Sequence, residues 1–187
     1  MGLPQSVTFR LADSVPAIVV EQWLAELASQ PSIERELRER LEKYLDAGYG
    51  ACYLRDARIG TIIENALLFF DTTRYHLHAW VIMPNHVHVL FTPLSGYRLA
   101  DIVSSWKSFT AKEANRVLDR SGQFWKEEYF DRFIRNTAHF DRAVHYIETN
   151  PVNAVLCDNS GDWPFGSARF RSIAGAAETA AVPGKEQ

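Results

Sequence analysis

His86 and His88 stand one residue apart in the run Met83-Pro84-Asn85-His86-Val87-His88-Val89-Leu90-Phe91. A β-strand has a side-chain period of two, so on a strand both imidazoles face one side while Val87, Val89 and Phe91 face the other. Two imidazoles presented this way form a two-point grip suited to a divalent first-row metal. A second pair, His76 and His78, lies on the adjoining segment, and spacing alone does not separate the two. Further along, Phe140, Val144 and Ile147 recur at i, i+4 and i+7, a helical core stripe. Tyr146 lies roughly 120° from Phe140 on a helical wheel, on the flank of that stripe. Asn150 is one turn beyond Tyr146 on the same flank, and His139 is two turns before it. A tyrosine at a wet core edge and an asparagine ending a helix before Pro151 would give the same pattern. The chemical reading is sharper. Two neutral imidazoles and an amide oxygen would hold a divalent ion that polarises a phosphodiester, and the phenol would act as a covalent nucleophile. A phenol has a free pKa of about 10, so it needs activation by the metal, a base or the local field.

These groups need a scaffold. Val7 to Leu11 alternates and predicts a short strand. Ser14-Val15-Pro16 opens a helix from Ala17 to Ser29, and Pro31-Ser32 opens a second from Ile33 to Asp46. The many Glu and Arg residues of the second helix read as a solvated face with supportive i,i+4 pairs. Gly48-Tyr49-Gly50 is a turn, and a helix follows over Ile59 to Phe70. Arg74 to Met83 and the His86 strand form an antiparallel hairpin around Pro84-Asn85. Leu99, Ile102, Val103, Trp106, Phe109 and Val117 predict a long amphipathic helix. An extended segment is expected at Tyr129 to Ile134. A last helix runs from Thr137 to Thr149, ended by Asn150-Pro151 because the residue before proline disfavours the α region. The fold class expected is α+β, with helices packed on one face of an antiparallel sheet.

The 187 residues fit one domain, expected over 1–173, with an Ala/Gly/charged, disordered tail over 174–187. Hydrophobic residues are 47% of the chain, enough for a sizeable core. A formal charge of −3 argues against binding nucleic acid by bulk charge alone and leaves room for a local basic groove. Cys52 and Cys157 have no CxxC spacing, so neither a disulfide scaffold nor a cysteine zinc site is expected. With no signal peptide and no apolar run of the ~20 residues that span a bilayer, the expected location is the cytoplasm.

The order of these segments resembles the single-tyrosine HUH transposase superfamily, and within it the REP-associated tyrosine transposases, of the IS200-like kind. The resemblance is carried by Ala79 to His88, by Ser105-Trp106-Lys107-Ser108-Phe109-Thr110, by Tyr129 to Arg135 and by His145 to Ala154, with Trp163-Pro164 after them. It spans roughly Val7 to Arg169. It implies a ferredoxin-like fold with the two histidines on a central strand. It implies cleavage and rejoining of single-stranded DNA through a 5′-phosphotyrosine, leaving a free 3′-hydroxyl. By the same resemblance Tyr146 is the nucleophile and His86 and His88 bind a divalent metal, Mg or Mn. Asn150 takes the third ligand position, where relatives carry Gln or Asn one turn after the tyrosine. The motif follows the Met-Pro-Asn turn, which selects His86 and His88 over His76 and His78. His139 has no family role.

Single-stranded DNA bearing hairpins from repetitive extragenic palindromes is the expected partner, with a monomer favoured over a dimer. Lys107 on the long helix, among serines, suits phosphate oxygens. Arg132 and Arg135 beside Trp125, Tyr129 and Phe130 suit a backbone whose bases stack alongside. The alternative function is a hairpin-binding protein, domesticated from a transposase, that does not cleave.

Overall fold

The structure is a computed structural model that describes residues 2–171; the expected tail over 174–187 lies outside the described residues. Four strands form one antiparallel sheet: β1 (Gln5–Arg10), β2 (Tyr75–Ile82), β3 (His86–Pro93) and β4 (Phe130–Phe133), in the order β2-β3-β1-β4. Three helices lie between β1 and β2: α1 (Ala17–Leu27), α2 (Ile33–Asp46) and α3 (Ala57–Phe69). Helix α4 (Leu99–Val117) joins β3 to β4, and α5 (Thr137–Asn153) follows β4. This is the ferredoxin-like α+β arrangement expected, with the His-x-His strand inside the sheet.

Strand β3 is buried along its whole length, which is why its sequence is apolar on both faces apart from the histidines and Thr92. The turn before it is closed by the Met83 amide donating to the His86 carbonyl, 2.9 Å. Pro84 sits second in that turn, where its fixed φ is already suitable. Asn85 is fully buried. Its amide donates to the Tyr49 carbonyl at 3.0 Å and its backbone carbonyl accepts from the Leu11 amide at 2.9 Å. The turn is therefore tied to two other parts of the chain, and the register of β3 cannot slip without breaking them.

Period two divides the sheet. One face carries Val7, Phe9, Val87, Val89 and Phe91 and packs on α3 and α4 through Ile63, Leu67, Val103 and Trp106. The other face carries Thr8, His86, His88, Leu90, Ala79 and Val81. The sequence reading put the helices on one face, but α5 packs on this second face through Ile147, Phe140 and Val144. A strand flanked by apolar residues on both sides needs cover on both, and α5 supplies it where α3 and α4 do not reach. Helices α1 and α2 form a hairpin with its own small core, Val15, Leu41 and Leu45, against Phe130 of β4.

Helix α5 also runs further than expected. It begins at Asn136, whose side chain accepts the His139 amide at 2.9 Å, and continues through Pro151 to Asn153. Pro151 removes one amide and crowds the preceding turn. Yet Ile147, Asn150 and Pro151 are buried against the sheet, and Ala154 and Leu156 amides still close on Asn150 and Pro151 carbonyls at 2.9 Å. Tertiary packing outweighs the local penalty, and Asn150 stays on the same helix as Tyr146.

Candidate active site

The site is built where α5 and α2 meet the β3 face. His86 is 1% exposed and His88 2% exposed. Their Nε2 atoms are 3.0 Å apart and their rings are edge-to-face. Each Nδ1 has its own partner: Asn85 Oδ1 at 2.7 Å for His86, Thr8 Oγ1 at 2.7 Å for His88. The Asn85 amide group is spent on Tyr49, so its oxygen faces His86 and Nδ1 of His86 carries the proton. Nε2 of His86 is left with a lone pair, the state a metal ligand needs. Burial holds both imidazoles neutral. It pushes His88 down to about 4 and His86 well below the ordinary range, with the neighbouring His88 adding to the effect on His86.

Tyr146 reaches this pair from α5. Its ring is 5.5 Å from that of His88, edge-to-face. The residue is 37% exposed at the wall of a cleft of about 290 Å³. Burial of the hydroxyl end, followed by the negative charges of Glu42 and Asp46, raises the phenol pKa well above its usual value. Glu42 and the Asn150 side chain both lie close enough to the phenol to act on it. Asn150 is 2% exposed, and its Oδ1 is buried without a hydrogen-bond partner. Such an orphan is costly unless something not present in the protein alone satisfies it.

Glu42 and Asp46 come from α2, whose charges the sequence reading assigned to solvent. Buried Leu41 and Leu45, with half-buried Leu37, form the apolar stripe of α2, and Arg38, Glu42 and Asp46 each follow one of those leucines. At i, i+4 and i+8 they share the face beside the stripe, and Arg38 and Glu42 on that face line the cleft whose other wall carries Tyr146 of α5. The repeated Leu-charge step was the available signal. Burial pushes Glu42 up, opposed by Arg38, and pushes Asp46 up to about 6.

The remaining expected residues separate. Arg132 lines the Tyr146 cleft together with Arg38, Arg142 and His139. Lys107 lies on α4, on the other side of the sheet; its Nζ donates to the Glu127 carbonyl at 2.6 Å, beside the Tyr129 ring. Arg135 is exposed just before α5, and its amide donates to His139 Nδ1 at 3.4 Å. His78 bonds Thr92 Oγ1 at 2.7 Å and packs on Phe140, next to a bulge in β2. His76 and His78 therefore stand apart from Tyr146.

The donor set fits a divalent cation. Two ligands at about 2.1 Å and a right angle lie about 3.0 Å apart, as in an octahedral shell, and the two Nε2 atoms are at that spacing. Among the described residues, as the side chains stand, no group of three His, Cys, Asp or Glu is placed so that it could hold a metal ion. On α5, one turn from Tyr146, Asn150 keeps a buried oxygen without a partner.

Comparison with known proteins bears on the family and the fold. The model of the transposase IS200-like family matches residues 56–150. A REP-associated tyrosine transposase of Escherichia coli (strain K12) is 29% identical over 100 residues, covering 54% of this chain and 58% of that protein's length. The solved structure of a REP-associated tyrosine transposase bound to a REP hairpin superposes with a TM-score of 0.58. It covers 93% of this chain and 81% of that one at 18% identity, a likeness of fold. The family match starts at Asp56, so α2, with Glu42 and Asp46, precedes it.

Proposed function

The chain belongs to the transposase IS200-like family, and we propose that it cleaves and rejoins single-stranded DNA beside palindromic hairpins, with Tyr146 as nucleophile and Mg or Mn as cofactor. One observation carries this reading: Tyr146 stands against His88 with the free Asn150 oxygen one helical turn away and the paired Nε2 atoms beneath. Nothing in a structural role requires these groups to converge at the head of a charged cleft.

In the proposed step the Tyr146 oxygen forms a bond to phosphorus as the bond from phosphorus to the 3′ oxygen breaks. Glu42, which lies close to the phenol, takes its proton. The departing 3′ oxygen is protonated from solvent, and the DNA remains joined to the protein by a 5′-phosphotyrosine. Rejoining reverses the sequence: a 3′-hydroxyl attacks and the proton returns to Tyr146. His86, His88 and Asn150 would hold the cation, which would polarise the phosphate and, as the largest local charge, favour the phenolate. Thr8 and Asn85 keep the imidazoles oriented. Arg38, Arg132 and Arg142 line the cleft that would carry the strand. The expected location remains the cytoplasm; among the described residues no helix is long and apolar enough to cross a membrane.

The test incubates the full chain with labelled single strands bearing hairpins in Mg or Mn and resolves the products under denaturing conditions. A covalent protein–DNA adduct is expected for the native chain and none for Tyr146→Phe. An adduct undiminished in Tyr146→Phe overturns the assignment of the nucleophile. Hairpin binding without any adduct would instead identify a binding protein that does not cleave.

A further inference from the structure

We infer that Asp46, the last residue of α2, supplies an anionic oxygen ligand to the divalent cation held at His86, His88 and Asn150. The inference rests on the metal reading above and concerns a residue outside the family-matched segment.

Charge is the first argument. Hard cations such as Mg prefer oxygen and are usually bound through one or two carboxylates. His86, His88 and Asn150 are all neutral donors, so they leave a doubly positive ion uncompensated in a buried site. Asp46 places Oδ1 3.8 Å from Nε2 of His86. Two ligands each about 2.1 Å from a common ion lie between about 3.0 and 4.2 Å apart, depending on the angle they subtend.

The second argument is that Asp46 has no better use. Its Oδ1 is buried without a hydrogen-bond partner, as is Oδ1 of Asn150. Among the described residues its one ion-pair contact is His86. That contact is empty of attraction in the protein alone. Nδ1 of His86 donates to Asn85, so Nε2 turns a lone pair toward the carboxylate. Two lone pairs facing each other are stabilised by a cation between them.

Manganese binding to the full chain tests this, read by calorimetry and by the electron paramagnetic resonance spectrum of the bound ion. Asp46→Asn is expected to weaken Mn binding 10- to 100-fold and alter the spectrum, whereas Glu42→Gln, one turn earlier, shifts the affinity less than twofold. The metal-free thermal midpoint of Asp46→Asn should equal or exceed that of the native chain, because the change removes an unpaired carboxylate; that excludes unfolding as the cause. Native affinity and spectrum in Asp46→Asn, with binding lost in His88→Ala, overturn the role of Asp46 and leave the histidine site standing. A folded native chain that binds no Mn removes the metal reading and this inference together.

Discussion

His88 is a buried imidazole kept neutral by desolvation, and this has a consequence for stability that can be signed. Its folded-state pKa of about 4 lies below the ordinary value of 6.5, so between those limits the unfolded chain binds more protons than the folded one. Its contribution is fully present above pH 6.5 and is lost as pH falls toward 4. A shift of that size is worth up to about 3 kcal/mol. Asp46, Glu42 and Glu64, all raised by burial, act in the opposite sense over an overlapping range. The informative quantity is therefore the difference between the native chain and His88→Gln. In urea titrations of metal-free protein that difference should shift against the native chain by up to about 3 kcal/mol between pH 7 and pH 4.5; a pH-independent difference contradicts a neutral buried His88. Glu42 allows a separate prediction. If it takes the phenol proton, Glu42→Gln should slow single-turnover adduct formation by about 10²-fold while leaving hairpin affinity unchanged, as measured by rapid quench and by fluorescence anisotropy.

Elements bring these residues together, and they differ in how much of that was legible. His86 with His88, and Tyr146 with Asn150, were readable because strand period and helical turn place each pair by local geometry alone. The pairing of α2 with α5 is not local. Nothing in the charges of α2 distinguishes a solvated face from one that lines a cleft with a helix about a hundred residues later, so Glu42 and Asp46 went unread. The helix end at Asn150-Pro151 was misread for the same reason, since burial against the sheet overrode a local stop signal. The β2 edge shows another non-local device. Residues after α5 return to it: Trp163 Nε1 donates to the Ile82 carbonyl at 3.0 Å and the Ile82 amide to the Phe165 carbonyl at 2.9 Å. This blunts an edge open to pairing. It also fixes the Phe165 ring over Gly60 of α3, where an added Cβ would meet ring atoms at 2.6 to 2.8 Å. Gly60→Ala gains about 1 kcal/mol of helix propensity, but overpacking costs about 1–3 kcal/mol. A ring anchored by its backbone cannot retreat cheaply, so a net loss of about 1 kcal/mol is expected, read as a lower denaturant midpoint with unchanged slope. An increase would show that the segment yields.

At the scale of the whole molecule, the proposed DNA partner is a polyanion, and a chain of net charge −3 would bind one through local fields. The structure offers two loci on opposite sides of the sheet. Arg38, Arg132 and Arg142 surround the Tyr146 cleft, and Lys107 lies in a second groove along α4. A single strand threaded past Tyr146 reaches the arginines and not Lys107, whereas a hairpin attached to that strand is large enough to engage both. Each phosphate contact with a single strand contributes about −0.7 to the slope of log affinity against log salt. Three contacts in the cleft give a slope near about −2 for a short unstructured oligonucleotide. Arg132→Ala should reduce its magnitude by about 0.7, and Lys107→Ala should leave it unchanged. With the hairpin attached, both substitutions should reduce the slope. Anisotropy titrations across a salt series read all four values. An unstructured oligonucleotide that responds to Lys107→Ala and ignores Arg132→Ala would move the strand to the α4 groove, away from the tyrosine, and with it the physical basis for cleavage at Tyr146.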